Sequence, residues 1–473
     1  MKQDFPDWVV KQKKKGVAIE KRGDHYYATR VTSVWDPGKK RAQKKTLEYL
    51  GKVTPNGIVP PKGKRLSRLG GVLDAGNFAY LEHFTRHISE RLMDCFPDDW
   101  ESILAAAAIR LCYHESFGRM RVRYETSFAK RLWPGAALSK NSLSELLSRL
   151  GRQWPMQRDF FDQIAGDEKH MAIDLSHIFS DSQRIPWTEF GHNGDDVWKP
   201  QVGILLMWGM TTHRPGFLKL LPGATHSAQT VVNAIWESGL QDCIAVMDKG
   251  FWSPENMKKL EEGSVHYAMA LRRDLPLVKH MSQLKYKEYF RYRKRAQWYR
   301  STNWDGRVIY HFLDKSMADQ EESTYLERVE QGRSTKMDYK RLKNGFGTLS
   351  IITDTGLSAE ETYKLYKERR DVEYAFDTLQ NILGAEMTWM RSRESLQGFL
   401  FIMFIALHLY SQVLDHLKRK DLLKRYSVHD VLTYLSKVCV VEMDGEDRLA
   451  EVTRQTRKVL DLLEMPITKK LGL

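Results

Sequence analysis

Two short apolar runs, Met171-Ala172-Ile173 and Ile244-Ala245-Val246-Met247, each end in an aspartate, Asp174 and Asp248. Short apolar runs bounded by polar residues are read as buried strands. A carboxylate at such a strand end sits at the rim of a sheet, where α/β proteins place ligands. Around these runs the pattern alternates. Strands are expected at 203–210, 217–221, 265–271 and 348–353, with helices at 228–237 and 253–260. Ser253-Pro254 supplies an N-cap followed by proline at the first helical position. The alternation constrains this part of the chain to an α/β core with a mixed sheet.

A third acid belongs to a later helix. Ser358-Ala359-Glu360-Glu361 is a capping box, and the helix it starts is expected to run through Glu373. At roughly 100° per residue, Tyr366, Arg369, Glu373, Asp377 and Gln380 share a polar stripe, while Leu365, Val372, Phe376, Leu379 and Leu383 lie beside it to face the sheet. Alone, such a stripe also suits a solvated face with Glu373 paired to Arg369 or Arg370, and a single strand-end aspartate also suits a turn or helix cap. Together, two strand-end carboxylates and one on a helix form the oxygen-rich trio that a two-metal phosphodiester-cleaving site needs.

The charge balance fits that chemistry. The 473 residues carry a net charge of +14 and a pI of about 9.3, which suits a polyanionic partner. The excess is concentrated in two blocks: residues 1–65 hold 17 Lys/Arg against 6 Asp/Glu, and residues 272–350 hold 18 against 10. The second block interleaves Arg291, Arg293, Lys294, Arg295 and Arg300 with aromatic residues, among them Trp298.

Six segments are expected. Residues 1–65 form a basic β-rich module closed by a linker over 55–65, and 70–165 form a helical region suited to DNA reading or to scaffolding. The core comes in two parts, 166–271 and 349–418, separated by a largely β insertion at 272–348. Residues 419–473 form a helical tail. Cys95, Cys112, Cys243 and Cys439 are scattered without a CxxC pair, which argues against a zinc site or a disulfide framework. The apolar stretch 399–407 is too short for a membrane span of roughly 20 residues and is expected to be a buried core helix. The N-terminus lacks the apolar core of a signal peptide.

The motifs resemble those of the DDE transposases of bacterial insertion sequences, in the group with the signature Y-x2-R-x3-E-x6-K. Here the signature reads Tyr366, Arg369, Glu373 and Gln380, with glutamine in the place of lysine. Asp174-Leu175-Ser176 is similar to the family's D-x-[T/S] motif, and Asp248-Lys249-Gly250-Phe251-Trp252-Ser253 to its D-x-G-[F/Y]-x-S motif. The resemblance covers about residues 165–415. It implies an RNase H-like core and catalysis by two Mg²⁺ (or Mn²⁺) ions held by Asp174, Asp248 and Glu373. It implies cleavage at the element's ends and attack of a 3′-hydroxyl on target DNA. Tyr366, Arg369 and the residue at 380 would contact DNA phosphates. Trp298, with Arg295 beside it, is the candidate in the insertion for holding a flipped base. Double-stranded DNA (terminal inverted repeats and target) is the implied partner, with a homodimer pairing two ends, no membrane, and a cytoplasmic, nucleoid-associated location. Two other readings stay open from the residues: an RNase H-like nuclease that only hydrolyses DNA, and a non-catalytic DNA-binding protein that keeps the fold.

Overall fold

The computed structural model describes residues 5–36, 38, 41–61, 69–166, 168–190, 197–224, 228–238, 243–385, 390–443 and 446–467. The chain divides into two compact units, Met1–Gly71 with Val441–Arg448, and Val72–Val440 with Leu449–Leu473.

In the first unit, strands Val17–Arg22 (β1), His25–Asp36 (β2), Arg41–Thr54 (β3) and Gly57–Val59 (β4) form an antiparallel sheet in sequence order. One face covers a small core of Val9, Ile19, Tyr26, Ala28 and Val53. Phe5 and Trp8 pack their rings on Tyr26. Residues 55–57, expected to begin a linker, instead make the β3–β4 turn, closed by the Thr54 hydroxyl donating to the Gly57 carbonyl at 2.8 Å. Residues 62–65 of the expected linker lie outside the described residues.

Of strand Leu69–Asp74 (β5), Val72, Leu73 and Asp74 belong to the second unit. The chain then turns helical: Gly76–Cys95, Trp100–Tyr113, Lys140–Arg152 and Trp154–Ala165 are its main helices before the core. The helix expected to start near Asn141 is capped two residues earlier, by the Ser139 hydroxyl accepting from the Ser142 amide.

Among the described residues the core sheet has ten strands: His170–Phe179 (β6), Glu189–Phe190 (β7), Pro200–Gly209 (β8), Arg214–Pro222 (β9), Ile244–Met247 (β10), His266–Leu271 (β11), Glu288–Tyr292 (β12), Arg295–Trp304 (β13), Arg307–Asp314 (β14) and Thr348–Thr353 (β15). Its order is β12-β13-β14-β15-β11-β10-β6-β8-β7, with β9 also paired to β8. β10 runs parallel to both β6 and β11, and the other described pairings are antiparallel. The apolar runs are explained by burial: Val202, Ile204, Leu205, Leu206 and Met207 on β8 are buried on both faces of the sheet.

The 27-residue helix Arg393–Arg419 runs through the second unit's core, and 89% of its most apolar window is buried, which accounts for the stretch 399–407. It packs against Lys140–Arg152 so closely that a Cβ on Gly398 would lie 2.1 Å from the Leu147 carbonyl oxygen. Phe401 and Phe404 stack edge-on with Phe160 and Phe161. The four cysteines form no disulfide.

Two expectations need correcting. The insertion is not largely β: beside β12–β14 it carries the helices Pro276–Ser282, Lys315–Glu330 and Lys336–Leu342. Its strands extend the core sheet, because β14 pairs with β15 over 308–313. The C-terminal tail is also mixed. Strands Cys439–Met443 (β16) and Glu446–Leu449 (β17) separate the helices Val428–Leu435 and Arg454–Leu463.

Candidate active site

Strand register brings the two aspartates together. Ile173 on β6 pairs with Met247 on β10, so Asp174 and Asp248 are the next residues along two adjacent parallel strands. Asp248 stands just beyond the end of β10. Asp174 does not end its strand, as the sequence suggested: β6 continues to Phe179 because its other edge stays paired to β8, with Asp174 opposite Leu206. The strand end that matters is that of β10, where β6 loses one neighbour.

The third acid comes from the helix that crosses these strands. The capping box forms as expected, with Ser358 and Glu361 bonded reciprocally. The expected continuous helix is instead two segments, Ala359–Glu368 and Arg370–Asp377, followed by a wider π-helical turn at Thr378–Ile382. The first segment packs on β10 and β11, the second on β6 and β8. Arg369, at the junction, therefore lies over the step from β10 to β6.

There its guanidinium meets all three acids. Nη1 is 3.6 Å from Asp174 Oδ2, while Nη2 is 3.9 Å from Asp248 Oδ1 and 2.5 Å from Glu373 Oε1. The Tyr366 hydroxyl donates to Asp248 Oδ1 at 3.2 Å, and the Leu175 amide donates to Asp174 Oδ1 at 3.0 Å. Burial opposes the charge on Arg369, but Tyr366 and the three carboxylates together raise its pKa. Burial is also the main influence on Asp174, whose pKa is pushed up to about 6; Arg369 opposes that rise, and Asp248 and Glu373 add to it. Burial, then the Asp248 charge, raise the Tyr366 phenol.

The donor set, three carboxylates from three elements, suits hard divalent cations, which prefer oxygen ligands. Among the described residues no group of three His, Cys, Asp or Glu side chains is arranged to hold an ion as it stands. The acids share Arg369 as their counter-charge instead. In donor chemistry, though not in their present pairing, the three carboxylates fit such a cation.

The other expected site residues fall elsewhere. Gln380 donates its amide to Ser176 Oγ at 3.1 Å and to the His177 carbonyl at 2.6 Å, tying the helix to β6 two and three residues beyond Asp174. Trp298 packs on Tyr289, with ring centroids 5.2 Å apart, under the Lys315 ammonium at 4.8 Å. It points to the opposite face of β13 from its neighbour Gln297, which bonds Tyr363 of the site helix. Arg295 lines a separate pocket with Lys367 and Arg370.

Two features escaped the sequence reading. A groove of about 1430 Å³ leads from Asp248, Tyr366, Arg369 and Glu373 past Arg272, Lys279, Lys340 and Arg341. The charge of 272–350 signalled a basic surface, but not that it adjoins the acids. Arg110, 9% exposed on the helix Trp100–Tyr113, closes the far end of the site helix by donating to the carbonyls of Leu383 at 2.7 Å and Gly384 at 3.1 Å. Gly384 has φ +69°, and a Cβ there would meet the Arg110 guanidinium at 2.4 Å. No local pattern marks a pairing across 273 positions.

Residues 172–409 match the family described as "Transposase DDE domain", which spans half of the chain and contains all three acids. The chain belongs to the DDE transposase-domain family. It is also similar to the piggyBac transposase in a synaptic complex with hairpin DNA, at 11% identity and a TM-score of 0.41, covering 79% of this chain and 75% of that one. The Mos1 transposase in a paired-end complex with a left transposon end matches at 12% identity and a TM-score of 0.15, covering 32% of this chain and 53% of that one. No curated protein matches the chain.

Proposed function

We propose that this DDE-family protein is a DNA transposase of the bacterial insertion-sequence type, with an RNase H-like core, that cleaves DNA at the element's ends and joins the freed 3′-hydroxyl to target DNA. The observation that carries the reading is the meeting of three acids, distant in sequence, on one guanidinium over the β6–β10 step. Asp174, Asp248 and Glu373 would hold Mg²⁺ or Mn²⁺, two ions per site. Such ions, when bound, activate a water or 3′-hydroxyl and stabilise the leaving oxygen.

The chain's own residues do the rest. Arg369, released from the acids, offers a planar fork of donors to a backbone phosphate, and Tyr366 adds one hydrogen bond. Gln380 secures β6 and so fixes the height of Asp174, a positioning role in place of the charged contact a lysine would give. The basic groove takes the duplex, with terminal inverted repeats and target DNA as substrates. Pairing two ends calls for a homodimer in the DNA complex.

The test uses a duplex carrying candidate terminal inverted repeats. Asp174→Ala, Asp248→Ala and Glu373→Ala should each abolish Mn²⁺-dependent cleavage and leave DNA binding largely intact. Cleavage by any one of them at near the wild-type rate refutes the site. Joined strands among the wild-type products support transposition, whereas nicks alone indicate a hydrolytic nuclease.

A further inference from the structure

A second concavity lies against the neighbouring face of the site helix. Tyr363, Lys367 and Arg370 recur at spacings of four and three, so they share one side of the helix, adjacent to that of Tyr366, Arg369 and Glu373. Opposite them, Arg293 and Arg295 complete a pocket of about 350 Å³. Among the described residues none of the four cations forms an ion pair. Lys367 and Arg293 rest over the rings of Tyr363 and Tyr292, at 5.2 Å and 5.3 Å, and Lys367 also feels the charge of Asp314 at longer range.

The pocket's one carboxylate is already engaged. Asp314, 6% exposed, accepts from Gln297 Nε2 at 2.9 Å and from the Met317 amide at 3.2 Å. Gln297 Oε1 in turn accepts from the Tyr363 hydroxyl at 2.9 Å. The amide that would otherwise read a base edge is therefore committed, and apart from the Tyr292 hydroxyl the pocket's remaining side-chain donors are cations.

The turn that carries Arg293 is strained, which gives the proposal a variant that should not weaken the fold. Arg293 and Lys294 link β12 to β13 with φ of +47° and +69°. Two-residue hairpin turns with both residues at positive φ favour Asn-Gly, and non-glycine residues in that region are costly. Strained conformations of this kind cluster at ligand sites.

We propose that this pocket binds a DNA backbone phosphate next to the one at the acids, gripping the strand without regard to sequence. The proposal rests on the transposase reading, since it supplies the DNA. It separates from that reading through the salt dependence of binding, which falls by about one ion for each phosphate contact removed.

The test measures the affinity of the full chain for labelled duplexes of two unrelated sequences across a salt series, by fluorescence anisotropy. Lys367→Gln/Arg370→Gln should weaken binding to both duplexes equally and flatten the slope by about one. Arg293→Asn/Lys294→Gly should flatten it likewise while melting no lower than wild type, because it relaxes the turn. A steep wild-type slope left unchanged by both double variants overturns the phosphate site and leaves the DNA reading standing. A loss confined to one duplex sequence also overturns it, by showing base recognition. A flat wild-type slope overturns both.

Discussion

Replacing Asp174 by asparagine should stabilise the protein in EDTA at neutral pH, although it removes a proposed ligand. The Asp174 carboxyl, with its side chain 22% exposed, has its pKa raised from 3.8 to about 6, chiefly by burial. Below pH 3.8 it is neutral in both folded and unfolded chains. Between 3.8 and about 6 the unfolded chain releases the proton and the folded one keeps it, so stability falls as pH rises through that window. A shift of about two units corresponds to about 3 kcal/mol, with Arg369's favourable contribution already included. Asparagine keeps the shape and cannot ionise. Its advantage should be small near pH 4 and reach about 2–3 kcal/mol by pH 7.5. Urea denaturation in EDTA at both pH values measures it. A variant less stable than wild type at pH 7.5, or an equal gain at both pH values, would refute the reasoning.

Arg369→Gln should cost about 3–5 kcal/mol in EDTA, because it leaves partly buried acids without their cation. Calorimetric titration should then show tighter Mn²⁺ binding than in wild type; weaker binding would show that Arg369 does not compete for the acids. Arg110→Met should destabilise by about 2–5 kcal/mol in urea, since it strands the carbonyls of Leu383 and Gly384. Gln380→Ala should reduce cleavage with little change in the salt dependence of DNA binding if Gln380 positions β6; an altered salt slope would point to a direct phosphate contact.

Much of the core was legible from local pattern. The helix Ala228–Glu237 and the strand Thr348–Thr353 lie where periodicity put them, and Ser253 and Ser358 cap the helices expected of them. The three acids stand out as candidates only in combination, because Asp174 and Asp248 each follow a short apolar run and Glu373 lies on the polar stripe after a capping box. The insertion is not legible in the same way, because interleaved basic and aromatic residues suit exposed strands and helix surfaces alike, and only pairing with β15 shows that its strands join the core sheet.

The sequence by itself determined most of the core strands and the caps at Ser253 and Ser358, and it proposed the three acids as candidates, since each of these depends on neighbours within a few positions. Tertiary structure decided that Asp174 lies inside a strand, that Arg369 stands among the carboxylates, that Gln380 is spent on β6, and that Arg110 holds the helix end. Those outcomes depend on strand register and on which faces meet across hundreds of residues, and the free energy that selects them comes from packing the whole unit rather than from any local stretch.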